Sequence, residues 1–153
     1  MKTILIFTTC ILLAIISKAQ PGTLDKNFGI DGKVITNFGV NTSSKINSAI
    51  TQPDDKIIGI GQYGTTIIED SNENGFAAFR YTPDGNLDYN FGDSGKAVVR
   101  FFFESYSEAR SGAVQKDGKI LLSGYGWYYY FDPTYSGLIT RLNTDGSVDS
   151  SFG

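Results

Sequence analysis

The 153-residue chain carries 13 Lys and Arg against 16 Asp and Glu, for a formal charge of −3, and it contains no His. With 41% apolar and 14% aromatic residues it can build a core, which excludes a disordered chain. The missing imidazoles remove a common metal ligand and general base, and the mild acidity argues against a nucleic-acid partner.

The chain opens with the pattern of an export signal. Lys2 supplies a basic start, and Ile4 to Ile16 form an apolar run of 13 residues. Ser17-Lys18-Ala19 places small residues where a signal peptidase reads, so cleavage is expected before Gln20. The run is shorter than the ~20 residues of a spanning helix, which makes a retained anchor the weaker alternative. Cys10 lies inside the run rather than after it, against a lipoprotein. Cleavage removes Cys10 and leaves no thiol nucleophile, disulfide or thiolate metal site. Eleven cations and sixteen anions then remain, a charge of −5. No later apolar run could span a bilayer, so the expectation is a secreted or cell-surface protein with no membrane contact after cleavage.

Past the leader the dominant signal is repetition. Gly22-Thr23-Leu24-Asp25-Lys26-Asn27-Phe28-Gly29 recurs at Gly85–Gly92 and again at Gly146–Gly153, at offsets of 63 and 61 residues. Residues 22–61 align without a gap on 85–124, with 16 identities in 40 positions. Gln52, Asp54, Lys56, Ile57 and Gly61 match Gln115, Asp117, Lys119, Ile120 and Gly124, and Arg80 matches Arg141. The chain divides into a leader (1–19), a first repeat (20–84), a second repeat (85–145) and the start of a third (146–153).

Each repeat predicts four short strands, rich in Ile, Val, Phe and Tyr and separated by turn residues. In the first they fall near Lys33–Phe38, Ile46–Gln52, Lys56–Gln62 and Phe76–Thr82. In the second they fall near Lys96–Phe103, Ala109–Gln115, Lys119–Trp127 and Leu138–Asn143. No stretch after residue 20 carries an amphipathic helix period. Lys116-Asp117-Gly118 reads as a tight hairpin, because Gly118 takes a positive φ cheaply. Pro53-Asp54-Asp55 fills the same place, although Asp55 enters the left-handed region less readily than Gly.

Leu-Asp-x-x-Phe-Gly joins one repeat's last strand to the next repeat's first. Leu24, Leu87, Phe28 and Phe91 read as apolar plugs between units. Asp25 and Asp88 should bind nearby backbone amides, and Gly29 and Gly92 should permit the reversal. This account needs no ligand.

These two motifs, Gly-x-Leu-Asp-x-x-Phe-Gly and Gln-x-Asp-Gly-Lys-Ile, resemble those of the delta-60 repeat family across nearly all of residues 21–153. The resemblance implies a β-propeller of four-stranded blades in an exported bacterial protein, often at the cell surface. It carries over no catalytic residue. The expected fold is all-β: two four-stranded antiparallel propeller-type blades, forming an incomplete propeller. Closed propellers use about 4–8 blades. Truncation is the simplest expectation for two repeats and a third opening, and self-association through open blade faces is the second.

Three groups are candidates for chemistry. Trp127, Tyr128, Tyr129, Tyr130 and Phe131, with Tyr135 nearby, form an aromatic cluster suited to flat contacts with a glycan or protein. The first repeat has Gly64–Asp70 there, so the repeat does not require the cluster; the bland alternative is a hairpin packing its own rings. Asp84, Asp88, Asp145 and Asp149 invite a calcium reading, but the spacing supplies too few of the 6–8 oxygens calcium takes. Glu69, Glu73, Glu104 and Glu108 are the glutamates available to a glycoside-cleaving pair. Arg80 and Arg141, at matched positions, favour a structural role. The expectation is a non-catalytic binding or scaffold module with no cofactor and no metal. The alternative is a carboxylate-dependent hydrolase acting on surface polysaccharide.

Overall fold

The computed structural model describes residues 22–65, 74–101, 106–128 and 134–153. The expected leader, Tyr129 and Tyr130 lie outside the described residues. Among the described residues seven strands make up the regular structure: β1 (Thr42–Thr51), β2 (Ile57–Thr65), β3 (Gly75–Tyr81), β4 (Lys96–Val99), β5 (Tyr106–Val114), β6 (Ile120–Tyr128) and β7 (Thr134–Leu142). They form two antiparallel sheets, β1-β2-β3-β4 and β5-β6-β7. No helix among the described residues is long and apolar enough to cross a membrane.

The two repeats fold alike down to their irregularities. β1 bulges between Ile46 and Ser48, and β5 bulges at the matching place between Ala109 and Ser111. Opposite each bulge stands a glycine, Gly61 or Gly124, where a Cβ would strike the carbonyl oxygen of Lys45 or Glu108. The bulge therefore dictates the shared glycine. Both hairpin turns form as expected, Gly118 with φ +83° and Asp55 with φ +62°.

The fold is all-β with two antiparallel sheets, as expected of an incomplete propeller, but the strands are allotted to them differently from the sequence reading. Lys96–Val99 pairs with β3, Phe76 opposite Val99 and Phe79 opposite Lys96, and so completes the first sheet. Lys33–Phe38 belongs to neither sheet, and among the described residues the second sheet has three strands. The cause lies in the turn. After β3 the chain folds back on the same strand: Tyr81 bridges Leu87, and the Asp88 amide donates to the Arg80 carbonyl at 2.8 Å. The next strand emerges along the outer edge it has just left, so pairing runs backward into the preceding sheet.

The core lies between the sheets. Ile58, Ile60, Phe76 and Ala78 of the first meet Ala109, Ile120, Leu122 and Leu142 of the second, all fully buried, with Phe91 among them. Full burial of such a side chain contributes about 1.5–3 kcal/mol. The first sheet's other face carries Tyr63, Ala77, Phe79 and Tyr81, against which Val34 and Phe38 pack. Phe38 stacks on Phe79 with centroids 5.0 Å apart, and the Thr36 and Tyr81 hydroxyls lie 3.0 Å apart. From Lys33 to Phe38 exposed and half-buried residues alternate, the period of a strand covered on one side.

Candidate functional site

Two like clamps hold the Leu-Asp-x-x-Phe-Gly turns. In the first, Asp88 Oδ2 accepts from Arg80 Nε at 2.9 Å, and Lys56 Nζ lies 3.3 Å away. The Arg80 guanidinium sits 4.5 Å over the Phe91 ring and donates to the Thr144 carbonyl at 2.7 Å. In the second, Asp149 Oδ2 accepts from Arg141 Nε at 2.7 Å and Lys119 Nζ at 2.8 Å, with Arg141 4.7 Å over Phe152. Each aspartate's other oxygen takes a backbone amide two residues on, Asn90 or Ser151. Burial works against the Asp88 charge, but the Asn90 amide, Arg80 and Lys56 outweigh it and hold the carboxyl below its usual range. Hydrogen bonds from Lys119 and Ser151 hold Asp149 far lower.

The turns also bond to one another. The Gly29 amide donates to the Asp84 carbonyl at 2.8 Å, and the Gly92 amide to the Asp145 carbonyl at 2.7 Å. These contacts give the repeated Arg, Asp and Phe a structural role between units. They also spend the Asp88 and Asp149 oxygens on cations and amides. Of the expected apolar plugs, Phe91 is fully buried and Leu87 packs under the first sheet, whereas Leu24 is 57% exposed.

The aromatic candidates come together only in part. Ile120, Leu122, Leu138 and Leu142 face the first sheet, so alternation puts Tyr125 and Trp127 on the opposite face with Tyr135 and Ile139. Register sets Tyr106 across from Trp127, and Trp127 across from Tyr135. Tyr106 stacks on Trp127 at 4.1 Å, and Trp127 meets Tyr135 nearly edge-on at 5.8 Å. Tyr125 lies 6.2 Å from Trp127, and Arg110, 5.2 Å over the Tyr125 ring, donates to its hydroxyl at 2.9 Å. Tyr135 is 69% exposed. Tyr128 is the last residue of β6. Sequence reasoning missed Tyr106, Tyr125 and Arg110. The period-two step from Tyr125 to Trp127 was readable; the pairing of Tyr106 required the bulged register.

Beneath the row sits a polar network. The Glu108 carboxylate, 2% exposed, accepts from Lys45 Nζ at 3.1 Å and Asn47 Nδ2 at 2.6 Å, with Arg110 3.4 Å away. The Tyr106 hydroxyl lies between Glu108 at 3.0 Å and Gln62 Oε1 at 2.6 Å. Burial and then Glu108 push the Tyr106 hydroxyl up to about 12. Burial disfavours the Glu108 charge, yet bonds from Lys45, Asn47 and Tyr106 prevail and hold it below the usual carboxylate range. Such a group is a poor proton donor near neutral pH; it braces β1 against β5 and fixes the first ring of the row. Glu69, Glu73 and Glu104 lie outside the described residues.

Two recesses lie away from the row. One, of about 640 Å³, is lined by Tyr63, Lys96, Arg100, Asp145 and Val148. Another, of about 520 Å³, runs between the two hairpin turns. Gln52 and Gln115 line it, each with a buried Oε1 lacking a partner among the described residues.

A family model described as a domain of unknown function (DUF5122) beta-propeller matches residues 52–91 and 115–152. The chain belongs to this β-propeller family. Each DUF5122 match begins at a repeat-equivalent glutamine, Gln52 or Gln115, and ends in the Leu/Val-Asp-x-x-Phe turn, so it spans every member of the clamp. Strands β1 and β5 fall outside the matched DUF5122 segments, as does the Tyr106–Glu108 end of the aromatic site. No curated protein and no solved structure matches the chain.

Proposed function

We propose that this chain is a non-catalytic binding or scaffold module of an exported protein, a delta-60 repeat propeller working outside the cell or at its surface. The carrying observation is the row Tyr106–Trp127–Tyr135 with Tyr125 and Arg110. It presents stacked rings and a cation on the second sheet's outer face, where the first repeat has Ser43, Gly64 and Asn74. Rings with polar edges suit a sugar face or a protein surface. The buried network under Tyr106 holds the platform rigid, which lowers the entropic cost of binding. The leader pattern, the lack of His and the leader-confined cysteine fit the same reading.

A screen of polysaccharides and surface proteins tests it, run with Trp127→Ala and Tyr135→Ala beside the parent. Loss of a well-packed aromatic anchor should weaken binding by about tenfold or more. A ligand held equally by parent and both variants would remove the row as the site.

A further inference from the structure

The aromatic row lies beside two cations whose shared partner is hidden. Among the described residues, Lys45 and Arg110 form ion pairs with Glu108 and with no other acid. The Glu108 carboxylate is 2% exposed, whereas the two cationic side chains are 57% and 50% exposed. Glu108 has donors besides these cations: Asn47 Nδ2 at 2.6 Å and the Tyr106 hydroxyl at 3.0 Å. An ammonium carries three donors and a guanidinium five, so each cation keeps donors for a ligand. The surface at this end of the row is therefore positive, in a chain whose formal charge is −3. The rings add to it. Tyr106 and Trp127 lie 21° from parallel at 4.1 Å and cover each other's faces, and Tyr125 lies 16° from parallel to Trp127. Rings stacked in this way turn their edges outward, where the aromatic quadrupole is positive. Centroid steps of 4.1 and 5.8 Å, from Tyr106 to Trp127 to Tyr135, make a strip one ring wide across three strands. Such a strip suits a linear polymer, whereas a stable protein partner takes about 800 Å² on each side. A sheet packed alongside leaves this end open: Ser43, the first-repeat counterpart of Tyr106, is exposed beside the second sheet.

We propose that the ligand of the row is an acidic polysaccharide, a linear chain of uronic acids whose carboxylates meet Lys45 and Arg110 while its sugar rings lie along Tyr106, Trp127 and Tyr135. The assignment rests on the binding reading above and narrows it to one chemical class. Arg110 is placed for the task. Its guanidinium lies 5.2 Å over the Tyr125 ring, and one nitrogen donates to the Tyr125 hydroxyl at 2.9 Å. The rest of the planar fork is left for a carboxylate, which it matches in shape. Lys45 belongs to β1 and Arg110 to β5, so the ligand bridges the two sheets. The first repeat offers no second copy of the site, because Asn47 stands where the second has Arg110, and Ser43 and Gly64 stand where it has Tyr106 and Trp127. A neutral polysaccharide would gain the ring contacts and leave both cations to water. An acidic protein would gain the charges, which need no single file of rings.

The test is titration of the chain with polygalacturonate and alginate, with methyl-esterified polygalacturonate, and with poly-glutamate. A polyuronate should bind, and the ester, the same sugar chain without its charge, should bind about tenfold more weakly or less. Affinity should fall as salt rises from about 0.05 to 0.5 M. Lys45→Gln combined with Arg110→Gln should cost about tenfold or more, and Arg110→Lys alone should keep most of the binding. Trp127→Ala should weaken the polyuronate as well. Circular dichroism checks the fold of the double variant; if it fails to fold, the comparison of acid with ester decides. Acid and ester bound equally, both through Trp127, overturn the acidic ligand and leave the row as a binding site. Poly-glutamate bound as tightly as the polyuronates overturns it in favour of an acidic protein. Binding of neither polyuronate also overturns it; the row itself falls only if every ligand from the screen ignores Trp127→Ala and Tyr135→Ala.

Discussion

The two sheets are built from one repeat yet present different faces. The first has its outer strand, a second sheet over its core face and a strap over the other. Among the described residues the second has its clamp and three strands, and its outer face carries rings where the first carries Gln62 and Gly64. The shared parts are those that fasten one unit to the next: bulge, glycine, arginine, aspartate, phenylalanine. The part that differs is a face. In this chain, repetition preserves fastening and leaves display free to vary.

The sharpest probe of that contrast is the pair of phenylalanines under the clamping arginines. Phe91 is fully buried while Phe152 is 36% exposed, although both lie under an arginine. Phe91→Ala should cost about 3–5 kcal/mol and Phe152→Ala less than about 1, read from urea unfolding midpoints. Equal losses would mean the third turn is as deeply packed as the second.

Acid offers a probe of intermediate size. Asp88 and Glu108 titrate below their usual range in the folded protein, so the stability they add is complete above the unfolded pKa and is lost as pH falls through the folded values. The unfolding midpoint should hold down to about pH 5 and drop below about pH 4. Asp88→Asn should lower stability by about 3 kcal/mol at pH 7, because it leaves Arg80 buried without its partner, and should flatten the acid drop. A variant keeping the parent's full acid dependence would place that dependence elsewhere.

The smallest expected effect separates the two hairpin turns. Asp55 holds φ +62° where the second repeat has Gly118 at φ +83°. Asp55→Gly should stabilise the chain by about 1 kcal/mol, seen as a raised midpoint. A loss would show that the aspartate side chain contributes more than its backbone strain costs.

Much of the fold was legible because the repeat reports its own constraints. Gly118 announced a left-handed turn, and Asp88 followed by Asn90 announced the amide bond that forms. The location of seven strands followed from β-branched and aromatic runs. What escaped was partnership. Nothing in Lys96–Val99 says whether it pairs forward or back, since that depends on a turn lying down along β3. The same limit governed the candidate site: Trp127 and Tyr135 could be named, but Tyr106 joins them only through a bulge that shifts register by one. Glu108 read only as one of four glutamates available to a glycoside-cleaving pair, because its partners Lys45 and Asn47 lie more than sixty residues away.

The backward pairing of β4 gives the sequence copies and the physical layers different boundaries. Cutting the gene product at the end of the first copy would strip the first layer of its margin, and with it the carbonyl of Gly95 on which Arg80 rests. Neither copy can melt without fraying the other. The two should therefore lose structure in one concerted transition, and domain excision at the repeat seam should yield pieces less stable than half the whole.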